Sequence, residues 1–304
     1  MIYTVTLNPS IDYLMQVPSY EAGATNRATD ITYYPGGKGI NVSRILANQH
    51  ISSTALGLLG GFTGTFVTDA LAEAGVTLSF TPIAGTTRIN VKLKGQTETE
   101  INAPGPDITT TEWAVFKQQF AHLTAADTVV FSGSAPKSLA SGVYQELIAL
   151  VKAVGAQFII DTTGDDMRQA LAQHPLLVKP NREEVAALYD MPVATQADLQ
   201  AAGARLLADG AQNAIISMAG DGAMLFTATG TYFAAPLKGQ LKNSVGAGDS
   251  MIGGFLAAWS QTQDPIASFK QAVACGTATA FSDDIAESAL INELGTQVKI
   301  TQLD

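Results

Sequence analysis

Hydrophobic and polar residues alternate in two segments of the first hundred residues. The apolar positions are Ile11, Tyr13, Met15 and Val17 in the first segment and Ile89, Val91 and Leu93 in the second. A period of two is typical of half-exposed strands in antiparallel sheets. Residues 97–103 are the expected partner of the second segment, across a turn at Gly95 and Gln96. The pattern predicts a small subsidiary sheet with one apolar face.

A different pattern begins at about residue 109. Short apolar runs, like the one at 2–7, alternate with segments rich in Ala and Leu, which predicts βαβ units and a parallel sheet. The expected strands are 128–132, 157–161, 176–179 and 214–218. The expected helices are 109–122, 139–153, 165–173, 182–189, 196–209, 246–259 and 265–284. Thr109 with Glu112, and Thr195 with Asp198, have the spacing of capping boxes. We expect one α/β domain over residues 1–304.

Composition narrows the possible classes of protein. Of 304 residues, 46% are hydrophobic and 14% charged, so a large core is available. A net charge of −10 disfavours nucleic acid as a partner. The single cysteine, Cys275, excludes an intrachain disulfide and a cysteine-based zinc site. No stretch is long and apolar enough for a membrane span, and Met1–Leu7 lacks the features of a signal peptide, so we expect a cytoplasmic protein.

Glycine-rich segments suggest nucleotide chemistry, but two common nucleotide motifs are absent from the sequence. Gly37-Lys38 is followed by Gly39 instead of Ser or Thr, which excludes a Walker A loop. No three glycines have the G-x-G-x-x-G spacing of a dinucleotide site, which disfavours an NAD-dependent dehydrogenase. Phosphate groups would have to be bound by another kind of motif.

Residues 243–250 are the strongest candidate for a phosphate-binding motif. The small residues at 246–248 leave consecutive amides free to face one anion at the start of the next helix. Asp249, in the first turn of that helix, could accept a proton from an attacking hydroxyl. An aspartate at this position could equally be a helix cap.

Two motifs resemble the signatures of one family. The sequence N-S-V-G-A-G-D-S at 243–250 resembles the C-terminal signature of the ribokinase-like sugar kinases, the PfkB family. The sequence P-G-G-K-G-I-N-V at 35–42 resembles their N-terminal signature, about 200 residues earlier. The resemblance implies a doubly wound, mostly parallel α/β sheet and a small β-lid from segments of about 10–35 and 86–104. It also implies ATP and Mg²⁺ as cofactors.

The same resemblance implies roles for individual residues. Asp249 would be the catalytic base, with the amides of Gly246, Ala247 and Gly248 as the anion hole. The metal residues would be Asn181 and Glu184. The nucleotide-binding residues would be Lys179, Ser217, Gly220, Gly222 and Gly248. Ala219 departs from the family, in which glycine is common at this position, and this puts the backbone contact there in question.

The acceptor is expected to be anionic. Arg88, Asn90 and Lys92 share one face of a predicted strand, although a solvated strand face would look the same. The resemblance implies D-fructose 1-phosphate, with tagatose 6-phosphate as the alternative; a catalytically silent sugar-phosphate sensor is a candidate from another class. The acceptor-binding residues would be Asp12, Gly37, Lys38, Asn41, Arg88 and Asn90. The apolar face of the lid predicts a homodimer through the β-lid.

Overall fold

The structure, a computed structural model, describes residues 1–96 and 98–303, and these form a ten-stranded sheet and a four-stranded sheet. The strands are β1 (Ile2–Thr6), β2 (Ser10–Gln16), β3 (Asp30–Gly36), β4 (Ser53–Leu59), β5 (Thr77–Pro82), β6 (Arg88–Lys94), β7 (Thr99–Ile101), β8 (Thr128–Ser132), β9 (Gln157–Asp161), β10 (Leu177–Val178), β11 (Asn213–Ser217), β12 (Ala223–Thr227), β13 (Gly230–Ala234) and β14 (Ile300–Leu303). The helices are α1 (Lys38–Asn48), α2 (Gly61–Glu73), α3 (Thr110–Gln118), α4 (Val143–Ala153), α5 (Gly164–Leu171), α6 (Arg182–Tyr189), α7 (Gln196–Ala208), α8 (Ala247–Thr262), α9 (Pro265–Ala280) and α10 (Ser288–Gly295).

The large sheet has the order β14-β13-β12-β11-β10-β9-β8-β1-β4-β5. Neighbours from β11 to β5 pair in parallel, whereas β12, β13 and β14 extend the sheet with antiparallel pairs. Successive residues of β8 face opposite sides: Val129 and Phe131 join one buried cluster and Val130 the other. Helices α3–α7 contribute to the first cluster, and α1, α8, α9 and α10 to the second. Burial on both faces explains the nearly continuous apolar runs of the central strands and confirms the predicted doubly wound fold.

The four-stranded sheet has the order β3-β2-β6-β7 and forms the lid. β6 pairs antiparallel with β7, as predicted, although Thr97 lies outside the described residues. The expectation of an antiparallel arrangement throughout was wrong, since β2 and β6 pair in parallel. The alternation identifies the two faces of a strand but not the direction of its neighbour, and the long connection between β2 and β6 permits the parallel pairing.

Most of the predicted helices are confirmed to within a few residues. Thr109–Glu112 and Thr195–Asp198 form the predicted capping boxes of α3 and α7. Helix α9 ends at Ala280 instead of 284, where the Ser282 hydroxyl turns back to the Ala278 carbonyl. In the part of the chain that the structure describes, every helix is too short or too polar to cross a bilayer.

Candidate active site

The predicted site residues gather at the carboxyl edge of the large sheet. Here β1, β8 and β9 end at Thr6, Ser132 and Asp161, and the N-termini of α1 and α8 face the same region. Ligands of doubly wound α/β proteins bind at this edge of the sheet. The fold thus brings together residues that are up to about 200 positions apart in the sequence.

Asp249 is buried in the first turn of α8, with 7% of the residue exposed. Asn41 from α1 donates its Nδ2–H to Asp249 Oδ2 over 2.8 Å. Burial, together with the charge of Asp161, raises the pKa of Asp249 to about 6, against the opposing effects of Lys38 and the Asn41 hydrogen bond. A carboxylate with such a pKa is suited to take up and release a proton near neutrality.

The start of α8, where the anion hole is predicted, has no side-chain cap. Gly246 is the N-cap, in the left-handed region at φ 78°, and no side chain caps the helix. Helix capping therefore does not explain why an aspartate is present at position 249. A Cβ on Gly246 would lie 2.8 Å from Ile285 Cδ1, and one on Gly248 would lie 3.0 Å from Lys179 Nζ. Larger residues would fill the space in front of the predicted anion hole, which consists of the amides of 246–248.

Two lysines flank a carboxylate that the sequence interpretation missed. Lys38 Nζ lies 2.9 Å from Asp161 Oδ2, and Lys179 Nζ lies 3.7 Å from Asp161 Oδ1. Burial opposes the charged form of Lys38, but Asp161 and Asp249 outweigh it and raise the pKa of Lys38. Burial also opposes the charged form of Asp161, yet the two lysines hold its pKa below the ordinary value. An acidic residue at the end of an otherwise apolar predicted strand was the signal that could have identified Asp161.

Asp12 is the centre of the predicted acceptor side. It accepts hydrogen bonds from Ser10 Oγ at 2.9 Å and from Asn90 Nδ2 at 3.0 Å, and Lys92 Nζ lies 3.6 Å from its second oxygen. Asp12 and Asn41 line the same cavity of about 20 Å³, which places the acceptor side next to Asp249. Asn90 and Lys92, on the inner face of lid strand β6, are buried, so this strand face is not a solvated one.

The glycine-rich N-terminal signature passes directly over the end of β1. Gly37 has φ 124°, and a Cβ there would lie 2.6 Å from Thr6 Cγ2. A Cβ on Gly36 would lie 2.6 Å from Asp12, and one on Gly39 would lie 2.7 Å from the Val5 carbonyl oxygen. The glycines permit the close approach that places Lys38 and Asn41 at the site.

Arg88 lies on the inner side of the lid, but its donors reach the backbone. Nη1–H donates to the Ala103 carbonyl at 2.8 Å, and Nη2–H donates to the Asn8 carbonyl at 3.0 Å. Burial lowers the pKa of the guanidinium, against the effect of Asp12. Arg88 therefore ties the strand ends around the acceptor side together.

The predicted nucleotide loop connects β11 and β12. Ser217 pairs with Asn181 through an isolated parallel bridge, and Arg182 forms an ion pair with Asp221 at 3.2 Å. A Cβ on Gly222, at φ 96°, would lie 2.2 Å from the Ala234 carbonyl oxygen, so only glycine is compatible there. Gly220 faces open space. In the described part of the chain, no hydrogen bond or ion pair connects this loop or Arg88 with Asp249.

Asn181 and Glu184 form a capping box at the start of α6. Asn181 Oδ1 accepts from the Glu184 amide at 2.7 Å, and Glu184 Oε2 accepts from the Asn181 amide at 2.8 Å. Among residues 1–96 and 98–303, no cluster of three or more His, Cys, Asp or Glu could hold a metal ion. Mg²⁺ is commonly bound by one or two protein groups together with phosphate oxygens and water. These residues therefore fit a nucleotide-bound Mg²⁺ better than a resident ion.

A helix N-terminus without a side-chain cap, with a carboxylate of raised pKa in its first turn, is suited to phosphoryl transfer. Comparison with known sequences gives the family. Residues 5–290 match the sequence profile described as "pfkB family carbohydrate kinase", and the chain belongs to that family. Membership implies ATP as the phosphoryl donor.

Known proteins are similar to the chain over its whole length. The 1-phosphofructokinase of Bacillus subtilis is 43% identical over 303 residues, covering 100% of both chains. The D-tagatose-1-phosphate kinase of Bacillus licheniformis is 29% identical and also covers 100% of both chains. Two solved structures of phosphofructokinase-2 from Escherichia coli are each 26% identical and match over 97% of this chain and 98% of theirs. One is a complex with fructose-6-phosphate, with a TM-score of 0.89, and the other is a tetrameric inhibited form, with a TM-score of 0.88.

Proposed function

We propose that the chain is a 1-phosphofructokinase, which transfers the γ-phosphoryl group of ATP to the C6 hydroxyl of D-fructose 1-phosphate. The observation that carries the proposal is the position of Asp249. This buried carboxylate accepts a hydrogen bond from Asn41, which lines the same cavity as Asp12. It lies in the first turn of α8, which has no side-chain cap. A relative with 43% identity and the same length has the name 1-phosphofructokinase, which supports this acceptor.

In the proposed step, the oxygen of the C6 hydroxyl attacks the γ-phosphorus in line, Asp249 accepts the hydroxyl proton, and the bond between the γ-phosphorus and the β,γ-bridging oxygen breaks so that ADP leaves. The amides of Gly246, Ala247 and Gly248, together with the positive end of the α8 dipole, stabilise the charge on the transferring group. The Asn41 hydrogen bond fixes the carboxylate so that it faces the acceptor side. Orientation by fixed groups of this kind lowers the entropic part of the barrier.

The acceptor would lie under the lid. Asp12, Asn41 and Asn90 are placed to bind sugar hydroxyls, because Asp12 and Asn41 line one cavity and Asn90 donates to Asp12. Lys38, and the two N–H groups of Arg88 that make no backbone hydrogen bond, would bind the sugar phosphate. Gly37, which has no side chain, permits the close approach of this segment to Thr6 beside the proposed acceptor site.

The nucleotide would lie along the edge between α8 and the β11–β12 loop. Lys179 and Gly248 would contact the phosphates, and the loop with Ser217, Gly220 and Gly222 would contact the nucleoside part. When bound, Mg²⁺ supplies charge neutralisation of the phosphates. Asn181 and Glu184 would hold it through oxygen atoms, since Glu184 Oε1 lies outside the capping box and Asn181 Oδ1 has a second lone pair.

Steady-state kinetics with four acceptors tests the proposal: fructose 1-phosphate, fructose 6-phosphate, tagatose 1-phosphate and tagatose 6-phosphate. We expect the highest kcat/KM with fructose 1-phosphate. A preference for either tagatose phosphate would replace the proposed substrate but keep the class of reaction. Absence of ADP formation with every acceptor would favour the catalytically silent sensor.

We also propose that two copies of the chain pair through the outer face of the lid. Ile31, Tyr33, Ile89 and Ile101 are exposed by 46%, 53%, 38% and 58%. Exposed apolar side chains on adjacent strands usually mark an interface. One end of this face is covered within the chain, because the Tyr33 and Phe66 rings pack edge to face with their centroids 5.4 Å apart.

A further inference from the structure

Asp161 is a buried carboxylate at the site to which the proposed phosphoryl transfer gives no role. It ends β9 and is 2% exposed. Each of its oxygens faces a different lysine, Lys38 at 2.9 Å and Lys179 at 3.7 Å. One carboxylate thus connects two ammonium groups that come from distant parts of the chain.

The two lysines belong to opposite halves of the site. Lys38 begins α1, inside the glycine-rich segment that passes beside Asp12. Lys179 follows β10, and its ammonium lies 3.0 Å from where a Cβ on Gly248 would stand, next to the start of α8. A lysine side chain is flexible, and in the described residues Asp161 is the ion-pair partner of both.

We propose that Asp161 is a positioning residue that holds the acceptor-side lysine, Lys38, and the donor-side lysine, Lys179, at a fixed separation. The inference rests on the proposed function and assigns it one further residue. The negative charge of Asp161 weakens the electrostatic attraction of the site for phosphate groups. Two ammonium groups around one carboxylate still leave a net positive charge, and the carboxylate fixes where each ammonium group lies.

Asp161→Asn tests the proposal because the amide keeps the size of the side chain but cannot pair with two ammonium groups. We expect KM for ATP and KM for fructose 1-phosphate both to rise and kcat to fall. A displacement of about 1 Å can reduce rates about 10²-fold, so we expect kcat/KM to decrease about 10- to 100-fold for each substrate. Values within twofold of the parent for both substrates would overturn the proposal.

Asp127→Asn is the matched control. Asp127 is also a buried carboxylate, 6% exposed, and it pairs with the Met1 amino group at 2.8 Å, at the opposite edge of the same sheet. We expect this variant to lose stability but keep both KM values. If Asp161→Asn shows the same behaviour as this control, its role is structural only.

Double-mutant cycles separate positioning from other roles, because residues that act through one another are not additive. In a Lys38→Met background, the effect of Asp161→Asn on KM for the acceptor should shrink to less than about threefold. In a Lys179→Met background, the same should hold for KM for ATP. Full additivity with both lysines would overturn the proposal, as would an increased Mg²⁺ requirement as the only change, which would mark Asp161 as a metal ligand.

Calorimetric titration with ATP alone distinguishes failure of this inference from failure of the proposed function. If the parent does not phosphorylate fructose 1-phosphate, the proposed function fails. A loss of ATP affinity of about fivefold or more in Asp161→Asn would still support positioning of Lys179. Tighter ATP binding would show that Asp161 acts through its charge alone and would overturn the inference.

Discussion

The proposed mechanism depends most on Asp249, a buried carboxylate with a raised pKa. Asp249→Asn keeps the shape of the side chain, and its amide oxygen can still accept the Asn41 hydrogen bond. General-base assistance is typically worth about 10²–10⁴ in rate. We expect kcat to fall at least about a hundredfold, while ATP binding is largely kept because the amides of 246–248 are unchanged. Single-turnover kinetics and calorimetry would measure the two effects; a kcat within about tenfold of the parent would remove the catalytic assignment.

The same variant has a pH-dependent effect on stability that needs no substrate. The pKa of Asp249 is raised from 3.8 to about 6, so its ionised form opposes folding above pH 6. A pKa difference of this size corresponds to roughly 3 kcal/mol at most. We expect Asp249→Asn to be more stable than the parent by roughly 1–3 kcal/mol above pH 6. Urea denaturation should show this advantage shrinking between pH 6 and pH 4; a constant difference would mean an unshifted pKa.

Arg88 has a double role that one substitution can reveal. Arg88→Ala removes the backbone hydrogen bonds to Asn8 and Ala103 together with the proposed phosphate contact. A charge-assisted contact is worth roughly 1.5–3 kcal/mol, so we expect kcat/KM for the sugar phosphate to fall about tenfold to a few hundredfold. KM for ATP should change much less. Arg88→Lys, which keeps the charge, is the control; an unchanged acceptor KM in Arg88→Ala would limit Arg88 to its structural role.

At the scale of elements, the β11–β12 loop contains the chain's departure from the family signature. Ala219 has φ 49°, in the left-handed region that favours glycine. An L-residue with a Cβ there costs roughly 1 kcal/mol. We expect Ala219→Gly to raise the free energy of unfolding by about 0.5–1 kcal/mol in urea titrations. Gly222→Ala, in the same loop, should destabilise because its Cβ would clash with the Ala234 carbonyl; equal effects of the two variants would contradict this reading.

Local patterns predicted local structure well. The capping boxes at Thr109 and Thr195 depend on contacts three residues apart, and both are present. The parallel pairing of β2 with β6 and the antiparallel strands β12–β14 were not predicted, because periodicity does not specify which strand is the neighbour. The motifs indicated Asp249 and Asn41. Asp161 was not predicted because its proposed role depends on its ion pair with Lys38, which lies 123 positions earlier in the sequence. Only the fold brings the two residues together.

At the scale of the whole molecule, the lid connects the acceptor side with the proposed dimer. Its inner face has polar and charged residues, including Asn90 and Lys92, which are buried against Asp12. Its outer face exposes Ile89 and Ile101. The two faces alternate along the same strands, so substitutions on the outer face can test assembly without changing a residue placed in the site.

Ile89→Lys combined with Ile101→Lys places two charges on the proposed interface. Burial of a charge between two apolar faces is unfavourable, so we expect the parent to scatter light as a particle of twice 31.7 kDa and the double variant as one of 31.7 kDa. Val154→Lys is the control, because Val154 is also an exposed apolar residue, at 36%, but follows α4 on the large sheet. That variant should keep the mass of the parent. A parent of 31.7 kDa at micromolar concentration would rule out the dimer, and a dimeric double variant would place the interface elsewhere.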